Sequence, residues 1–571
     1  MIRIVETIHL VCWSRVAAWG LASILLLPGA LAGDEPVDLE TVTRIREEGF
    51  RRSQVMETVA HLTDVIGPRL TGSPQMKAAN DWTRDKLEEW GLQNAHLESY
   101  EFGRGWSFSR ASVHMLEPHE VPLLARPRAW APGTKGAVRG EAMRVEIKSE
   151  EDFEKYRGEL AGKILFLDEP AEVEPPDDQV FNRYTPDELT ELTVYEISDR
   201  RRGDFRKRYL KRWKLRKALA DFLVEEKALA TVEVSSRDGG LVRVGGTGVY
   251  DKDENPGVTA LVMAVEHYNQ ILRLLEDDGE VKLEIEVKSR FHDKDNMAYN
   301  TVAEIPGSDA ARKDEVVLVG AHLDSWHAGT GATDNAAGSA VAMEAVRILQ
   351  ALEIQPRRTI RIALWSGEEQ GLRGSRAYVR QHLATRPESE DPEQLELPRF
   401  LREPQWPLLL EPGHAKLSVY FNLDNGSGKI RGIYAQDNVA ARPIFEAWLE
   451  PFHDLEADTV TMRRTGGTDH TAFDGVGLPG FQFIQDRLDY FSRTHHTNMD
   501  VYDHLQSKDL MQASVVMASF LYHAAMREEM LPRKPLPEEP PEGPEGRESK
   551  EDPSGNARPD AKPAAGAQTR P

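Results

Sequence analysis

The chain has 571 residues, of which 40% are hydrophobic and 29% charged, with a formal net charge of -23. That length exceeds one compact core and implies two or three domains of ordinary globular composition. The acidity excludes nucleic acid as the main partner, because phosphate recognition needs clustered positive charge.

Residues 1–32 read as a secretory signal peptide. Arg3 and Arg15 supply positive charge, Val16 to Leu27 is mostly apolar, and Ala30-Leu31-Ala32 is a small-x-small cleavage pattern. The apolar stretch falls short of the ~20 residues that span a bilayer, and an uncleaved membrane anchor is the alternative. The expected location is secreted or periplasmic, with no other membrane association. The single cysteine, Cys12, lies in this segment. A mature chain without it has no disulfide, no cysteine nucleophile and no thiolate ligand. Any metal must be held by oxygen and imidazole.

Residues 39–70 read as helix, 67–73 as loop and 75–90 as a second amphipathic helix stopped by Gly91. With the β-rich segments that follow, residues 33–131 form the first part of the main domain. Residues 132–259 change texture and read as a small β-rich insert, with strands at 163–167 and 228–233. The basic run from Arg200 to Lys217 inside it reads as a solvated helix face. Residues 260–530 alternate helix and strand: helix 257–275, strands 315–319 and 359–365, helices 336–352 and 375–383, strand 417–423, helix 504–527. Residues 385–412 read as a surface insertion. This alternation predicts an α/β three-layer sandwich over a mostly parallel, mixed sheet. Residues 531–571 are dominated by Pro, Glu, Gly, Lys and Ala and are expected to be a disordered tail.

In α/β sheets, sites gather where the carboxyl ends of strands meet loops. Five such places carry an imidazole or carboxylate: His322 and Asp324, Asp334, Glu368 and Glu369, Asp424, and the pair His495 and His496. One alone would mean little. Five along one edge of one predicted sheet form a metal-site constellation. The donors suit zinc, which takes imidazole nitrogen and carboxylate oxygen. In His322-x-Asp324 the carboxylate can reach the far ring nitrogen and fix its tautomer. Adjacent Glu368 and Glu369 suit a division of labour, one on metal and one handling the proton of water.

These segments resemble the M28 family of zinc peptidases, in order and spacing, over most of residues 40–527, and the segment Gly162-Lys163-Ile164-Leu165-Phe166 resembles the protease-associated domain that many members carry. The resemblance implies two zinc ions: His322 and Asp424 on one, Glu369 and His496 on the other, and Asp334 bridging both. It implies Glu368 as general base and Asp324 as the residue that orients His322. The choice of His496 over His495 rests on the family's His-Thr-x-x-Asp pattern. Asp469, His470, Asp500 and Tyr490 are further candidates for contacts around the centre.

The implied activity is secreted exopeptidase action on N-terminal residues or dipeptides of short peptides, through a zinc-activated water. A single-zinc acyltransferase of glutaminyl-cyclase type and a non-catalytic, receptor-like binding protein are the alternatives. Arg373, Arg463, Arg464, Arg487 and Arg493 are the cations near enough in sequence to read a substrate carboxylate. The insert either roofs the cleft or contributes to a homodimer, and the sequence decides neither.

Overall fold

The computed structural model describes residues 35–173, 180–195, 202–277, 279–397 and 402–539. The predicted leader and the tail beyond 539 lie outside these residues. Among the described residues no helix is long and apolar enough to cross a membrane.

The main sheet has eight strands, in the order Gln93–Glu101, Met297–Ile305, Thr359–Trp365, Val316–His322, Leu417–Asn422, Gly480–Gln485, Ile430–Tyr434 and Thr459–Thr461. Its four central strands run parallel, and antiparallel neighbours flank them. The central strands are apolar at nearly every position because successive side chains enter two different cores. Val317, Val319, Ile360, Ile362, Val419 and Phe421 face one core. Leu318, Ala363, Trp365 and Tyr420 face the other. Helices Leu39–Arg51, Ala337–Ala351 and Ser507–Met526 cover the first face, and helix Arg373–His382 contributes Tyr378 and Val379 to the second. The result is the expected three-layer α/β sandwich. Helix Ala337–Ala351 is buried from Ala337 through Leu349, since neighbouring helices enclose the sides that the sheet leaves open.

The second sheet also has eight strands, and it draws on more of the chain than the window 132–259. Gly105–Glu117 and Lys282–His292 form a long antiparallel ribbon within it, and Thr259–Met263 pairs with Ala230–Val234. The helix expected at 257–275 is therefore strand Thr259–Met263 followed by helix Val265–Glu276. A short apolar run such as Thr-Ala-Leu-Val-Met carries no periodicity that separates a buried strand from a buried helix. The helix expected at 39–70 is also divided, into Leu39–Arg51, Val55–Ala60 and a wider turn, His61–Ile66, that ends at Gly67 with φ 83°.

Two segments tie down regions the sequence left loose. Residues 180–195 reach onto the segments that follow the main sheet's later strands: Arg183 pairs with Asp486 at 2.8 Å and Asp509 at 2.7 Å, and Arg431 donates to the Tyr184 carbonyl. The expected tail boundary at 531 falls too early. Leu531 is buried, and Arg533 Nη2 donates to the carbonyls of His414 at 3.0 Å and Leu417 at 2.7 Å. From Arg202 onward the basic run lies in helix Arg202–Glu225, while Arg200 and Arg201 lie outside the described residues.

Phe421 joins an aromatic cluster with Phe445, Phe481, Phe483 and Phe520 beneath the strand that leads to Asp424. Replacing Phe421 with Ala is expected to cost about 3–5 kcal/mol, read from the denaturation midpoint at constant m-value.

Candidate metal centre and active site

The candidate carboxylates and His322 stand at or just past a central strand or ahead of a buried helix, and the paired histidines follow a turn. His322 ends its strand, Glu368 and Glu369 follow Thr359–Trp365, and Asp424 follows Leu417–Asn422. Asp334 lies in the turn leading into helix Ala337–Ala351, with non-helical φ and ψ of -131° and 86°. His495 and His496 leave the turn Tyr490–Thr494, and His496 has a left-handed φ of 64°.

Asp334 stands between two imidazoles. Its Oδ1 is 3.2 Å from His322 Nε2, and its Oδ2 is 3.2 Å from His496 Nε2. His322 Nε2 also lies 3.3 Å from Asp424 Oδ1, and His496 Nε2 lies 3.1 Å from Glu369 Oε2. Zinc bonds of about 2.0–2.2 Å at tetrahedral angles separate neighbouring ligand atoms by about 3.3 Å, so these edges fit two metal polyhedra sharing one carboxylate. Asp334 Oδ2 and Glu369 Oε1 are buried and meet no donor in hydrogen-bonding geometry, as expected of atoms aimed at a cation. The donor set of imidazole and carboxylate therefore fits zinc.

His495 Nε2 lies 3.9 Å from Asp334 Oδ2, while its ring lies against that of His496, tilted by 36° with centroids 3.8 Å apart. His496 touches both Asp334 and Glu369, which favours it as the ligand. Side-chain exposure is 1% for His322, 4% for Asp334, 19% for His496 and 23% for His495, so the centre opens on the side of the paired histidines.

Burial and charge set the protonation of the metal-free centre. Burial would push His496 down, but Glu369 and Asp334 pull it up to about 10. Burial pushes Glu369 up to about 7, with Asp334 adding to the shift and His496 opposing it. Burial opposes ionisation of Asp334, yet the two imidazoles hold its carboxyl well below the ordinary range. Glu368 is raised well above that range by burial, against His322 and with Asp424, Asp469 and Glu369 nearby.

Asp324 does more than orient a ring. His322 Nδ1 lies 3.0 Å from the backbone carbonyl of Asp324 and 3.6 Å from its carboxylate. The carboxylate accepts from the Thr71 hydroxyl at 3.0 Å and from the amides of Glu368 and Glu369 at 3.2 and 3.3 Å. It thus pins the loop that carries Glu368 and Glu369. Asp500 plays a similar part for Asp334, accepting from Thr333 N at 2.6 Å and Asp334 N at 3.2 Å. Tyr490 is buried beside His495, and burial together with the site carboxylates holds its phenol well above the ordinary range. Asp469 is buried at 0% exposure near Asp424 and His322, while His470 Nε2 lies 2.6 Å from Gln436 Nε2 and 3.2 Å from the Thr465 carbonyl oxygen.

Two residues escaped sequence reading. Arg69 is fully buried and donates to five backbone carbonyls, those of Leu62, Gly67, Leu323, Thr330 and Gly331. It fastens both ends of the loop between His322 and Asp334. No local signal could reveal it, since three of its acceptors lie more than 250 residues away in sequence. Arg243, from the insert, is the second: its Nη2 lies 3.2 Å from His496 Nδ1.

Residues 300–521 match the model of peptidase family M28. Carboxypeptidase Q of Mus musculus is 26% identical over 488 residues, covering 85% of this chain and 88% of that protein. The Homo sapiens protein of the same name is 25% identical over 487 residues, with coverage of 85% and 88%. A solved peptidase M28 precursor from Shewanella amazonensis SB2B superposes with a TM-score of 0.61 at 26% identity, covering 88% of this chain and 99% of that one. BSAP, a zinc aminopeptidase from Bacillus subtilis, shares the fold with a TM-score of 0.52 at 16% identity, covering 83% and 95%. Residues 300–521 thus form a peptidase M28 region, and the chain is a metallopeptidase.

Zinc loading is expected to release at least about one proton per chain at pH 7, because the raised His496 and Glu369 carry protons that the metal displaces. Apparent affinity should rise with pH until those groups are ionised or neutral, as measured by calorimetry in buffers of different ionisation enthalpy. Arg69→Met leaves five buried carbonyls without their donor and should cost at least about 3 kcal/mol in thermal unfolding.

Proposed function

We propose that this chain is a secreted exopeptidase that hydrolyses N-terminal residues or dipeptides of short peptides with two zinc ions per chain. The observation that carries this reading is Asp334, whose two oxygens each stand 3.2 Å from a different imidazole. His322 and Asp424 would complete one ion's protein ligands, and Glu369 and His496 the other's. When bound, the two ions supply Lewis acidity toward the peptide carbonyl and lower the pKa of water.

The protein's own groups do the rest. Glu368 takes a proton from water and returns it to the leaving amine; a carboxylate beside divalent cations stays ionised and can serve as base. Asp324 holds the Glu368 amide at 3.2 Å, which fixes the base relative to the ligands. Tyr490, buried beside His495 with its phenol kept protonated, would donate to the negative charge that develops on the carbonyl oxygen. Secretion is supported by the leader pattern of residues 1–32.

A complete second set of donors at Glu369 and His496 favours two ions over the single-zinc cyclase reading. Competent residues at all five ligand positions and at the base favour an enzyme over a receptor. Relatives named carboxypeptidase Q and zinc aminopeptidase leave the terminus that is read to the rim of the cleft.

Glu368→Gln should retain fold and zinc content while kcat falls about 10²- to 10⁴-fold on aminoacyl-p-nitroanilides and dipeptides. Near-normal turnover in that variant would remove Glu368 from the role of base.

A further inference from the structure

Most of the arginines expected to meet a substrate carboxylate are engaged elsewhere. Arg373 stacks on Phe102 and Tyr250 and donates to the Phe102 carbonyl at 2.7 Å. Arg463 donates to the carbonyls of Glu191 and Val194, Arg464 pairs with Asp474, and Arg487 lies over Tyr184. Arg493 is exposed.

An uncommitted cation stands instead in a cavity of the second sheet. Strands Lys163–Phe166, Ala230–Val234 and Thr259–Met263 run parallel there, and helix Arg202–Glu225 lies between the first two in sequence. The helix packs on the sheet through Phe222 and Leu223, which share a core with Leu165. Beside that contact, the helix, the sheet and the chain at 247–258 frame an open cavity of about 130 Å³. Gly257 closes one edge, where a Cβ would stand 3.2 Å from Ala220 Cβ. Cavities of this order, ~150 Å³, admit a benzene-sized body. Leu167, Val258 and Ala260 supply apolar walls, and Trp213 adds an aromatic one.

The charges around this space are split. Arg128 is committed through both Nη atoms, to Glu233 at 2.7 Å and to the Gly246 carbonyl at 2.7 Å. Arg216 is not. Its Nη1 lies 3.9 Å from where a Cβ on Gly248 would stand, and among the described residues it forms no ion pair or hydrogen bond. Arg128 repels it and Glu233 attracts it, both from beyond contact distance. Glu254 is half-buried in the same lining, and burial holds its carboxyl above the ordinary range, with Lys217 opposing. The cavity thus presents a guanidinium without an anion and carboxylates with acceptor capacity to spare.

That these opposite charges line one space without meeting decides the ligand chemistry. In a free α-amino acid the ammonium nitrogen and the carboxyl carbon are two bonds apart, about 2.5 Å. A hydrogen bond of ~2.9 Å at each end then bridges a cation and an acid that stand too far apart to pair directly. A simple anion would face Glu233 and Glu254, and a simple cation would face Arg216 and Lys217. A zwitterion answers both signs, and its side chain takes the apolar space.

We propose that this cavity is a second ligand site, which holds a free α-amino acid with an apolar side chain, its carboxylate on Arg216 and its ammonium toward Glu233 and Glu254. The site is independent of the exopeptidase reading.

The test titrates phenylalanine, phenylalaninamide and 3-phenylpropionate into the purified full chain by calorimetry. Phenylalanine should bind at a site that survives His496→Ala in the metal centre. Phenylalaninamide lacks the carboxylate and 3-phenylpropionate the ammonium, so each should bind about 10- to 100-fold more weakly, the range for a hydrogen bond to a charged group. Arg216 is exposed at the mouth, so Arg216→Met should keep the fold while phenylalanine weakens to the level of its amide. Loss of the fluorescence change on binding in Trp213→Phe would place the ligand in the cavity without recourse to the metal centre. No binding at millimolar phenylalanine, equal affinity for 3-phenylpropionate, or affinity unchanged in Arg216→Met would overturn the proposal.

Discussion

Asp334 is a buried carboxylate held between two imidazoles, each 3.2 Å away, and most of the surrounding structure exists to keep it there. Removing a carboxylate from water is unfavourable unless positive charge meets it, and here one imidazole nitrogen stands beside each of its two oxygens. His322, Asp424, Glu369 and His496 come from four separate segments of the chain. Only the parallel order of the central strands brings their carboxyl ends to one edge of the sheet. The fold and the centre are therefore one problem: the apolar strands bury both faces, and their ends carry the chemistry.

Positioning around that bridge is nested. Asp500 holds the amides of Thr333 and Asp334, and Arg69 holds the carbonyls at both ends of the same loop. Asp324 plays the corresponding part for the Glu368–Glu369 turn through two amide contacts. Acidic groups grip N–H donors while Arg69 grips carbonyls, so the loop between His322 and Asp334 is fixed from both sides by complementary chemistry. The chain around the second sheet adds a third layer. Its segment around Arg243 is bonded to the loop of His495 and His496 rather than resting loosely above it.

The strands and helices of the sandwich, and the residues that meet in its centre, were legible in the sequence because the relevant signals are local. Val316 to Val319 is an unbroken apolar run, and Glu368-Glu369 and His495-His496 stand at strand or turn ends. What was not legible depends on contacts between distant segments. Thr259–Met263 hides its strand character in a short apolar run, and only pairing with Ala230–Val234 reveals it. Arg69 looks like an ordinary loop arginine because all its partners are backbone carbonyls. Arg243 sits in a β-rich insert, more than 250 residues from the histidines it faces, and nothing near it in sequence is acidic enough to mark a site. The expected pairing of the Asp324 carboxylate with His322 was close in distance but missed its stronger links to the amides of Glu368 and Glu369.

The most direct test of the shared bridge is zinc stoichiometry by mass spectrometry on the purified full chain, measured with dipeptide turnover as zinc is added to chelated protein. Turnover that reaches its maximum only as the second ion binds would place both ions in the working centre. In that case Asp334→Ala should hold fewer than two ions. Full turnover with a single ion per chain, or two ions retained after removal of Asp334, would contradict a centre built on that carboxylate.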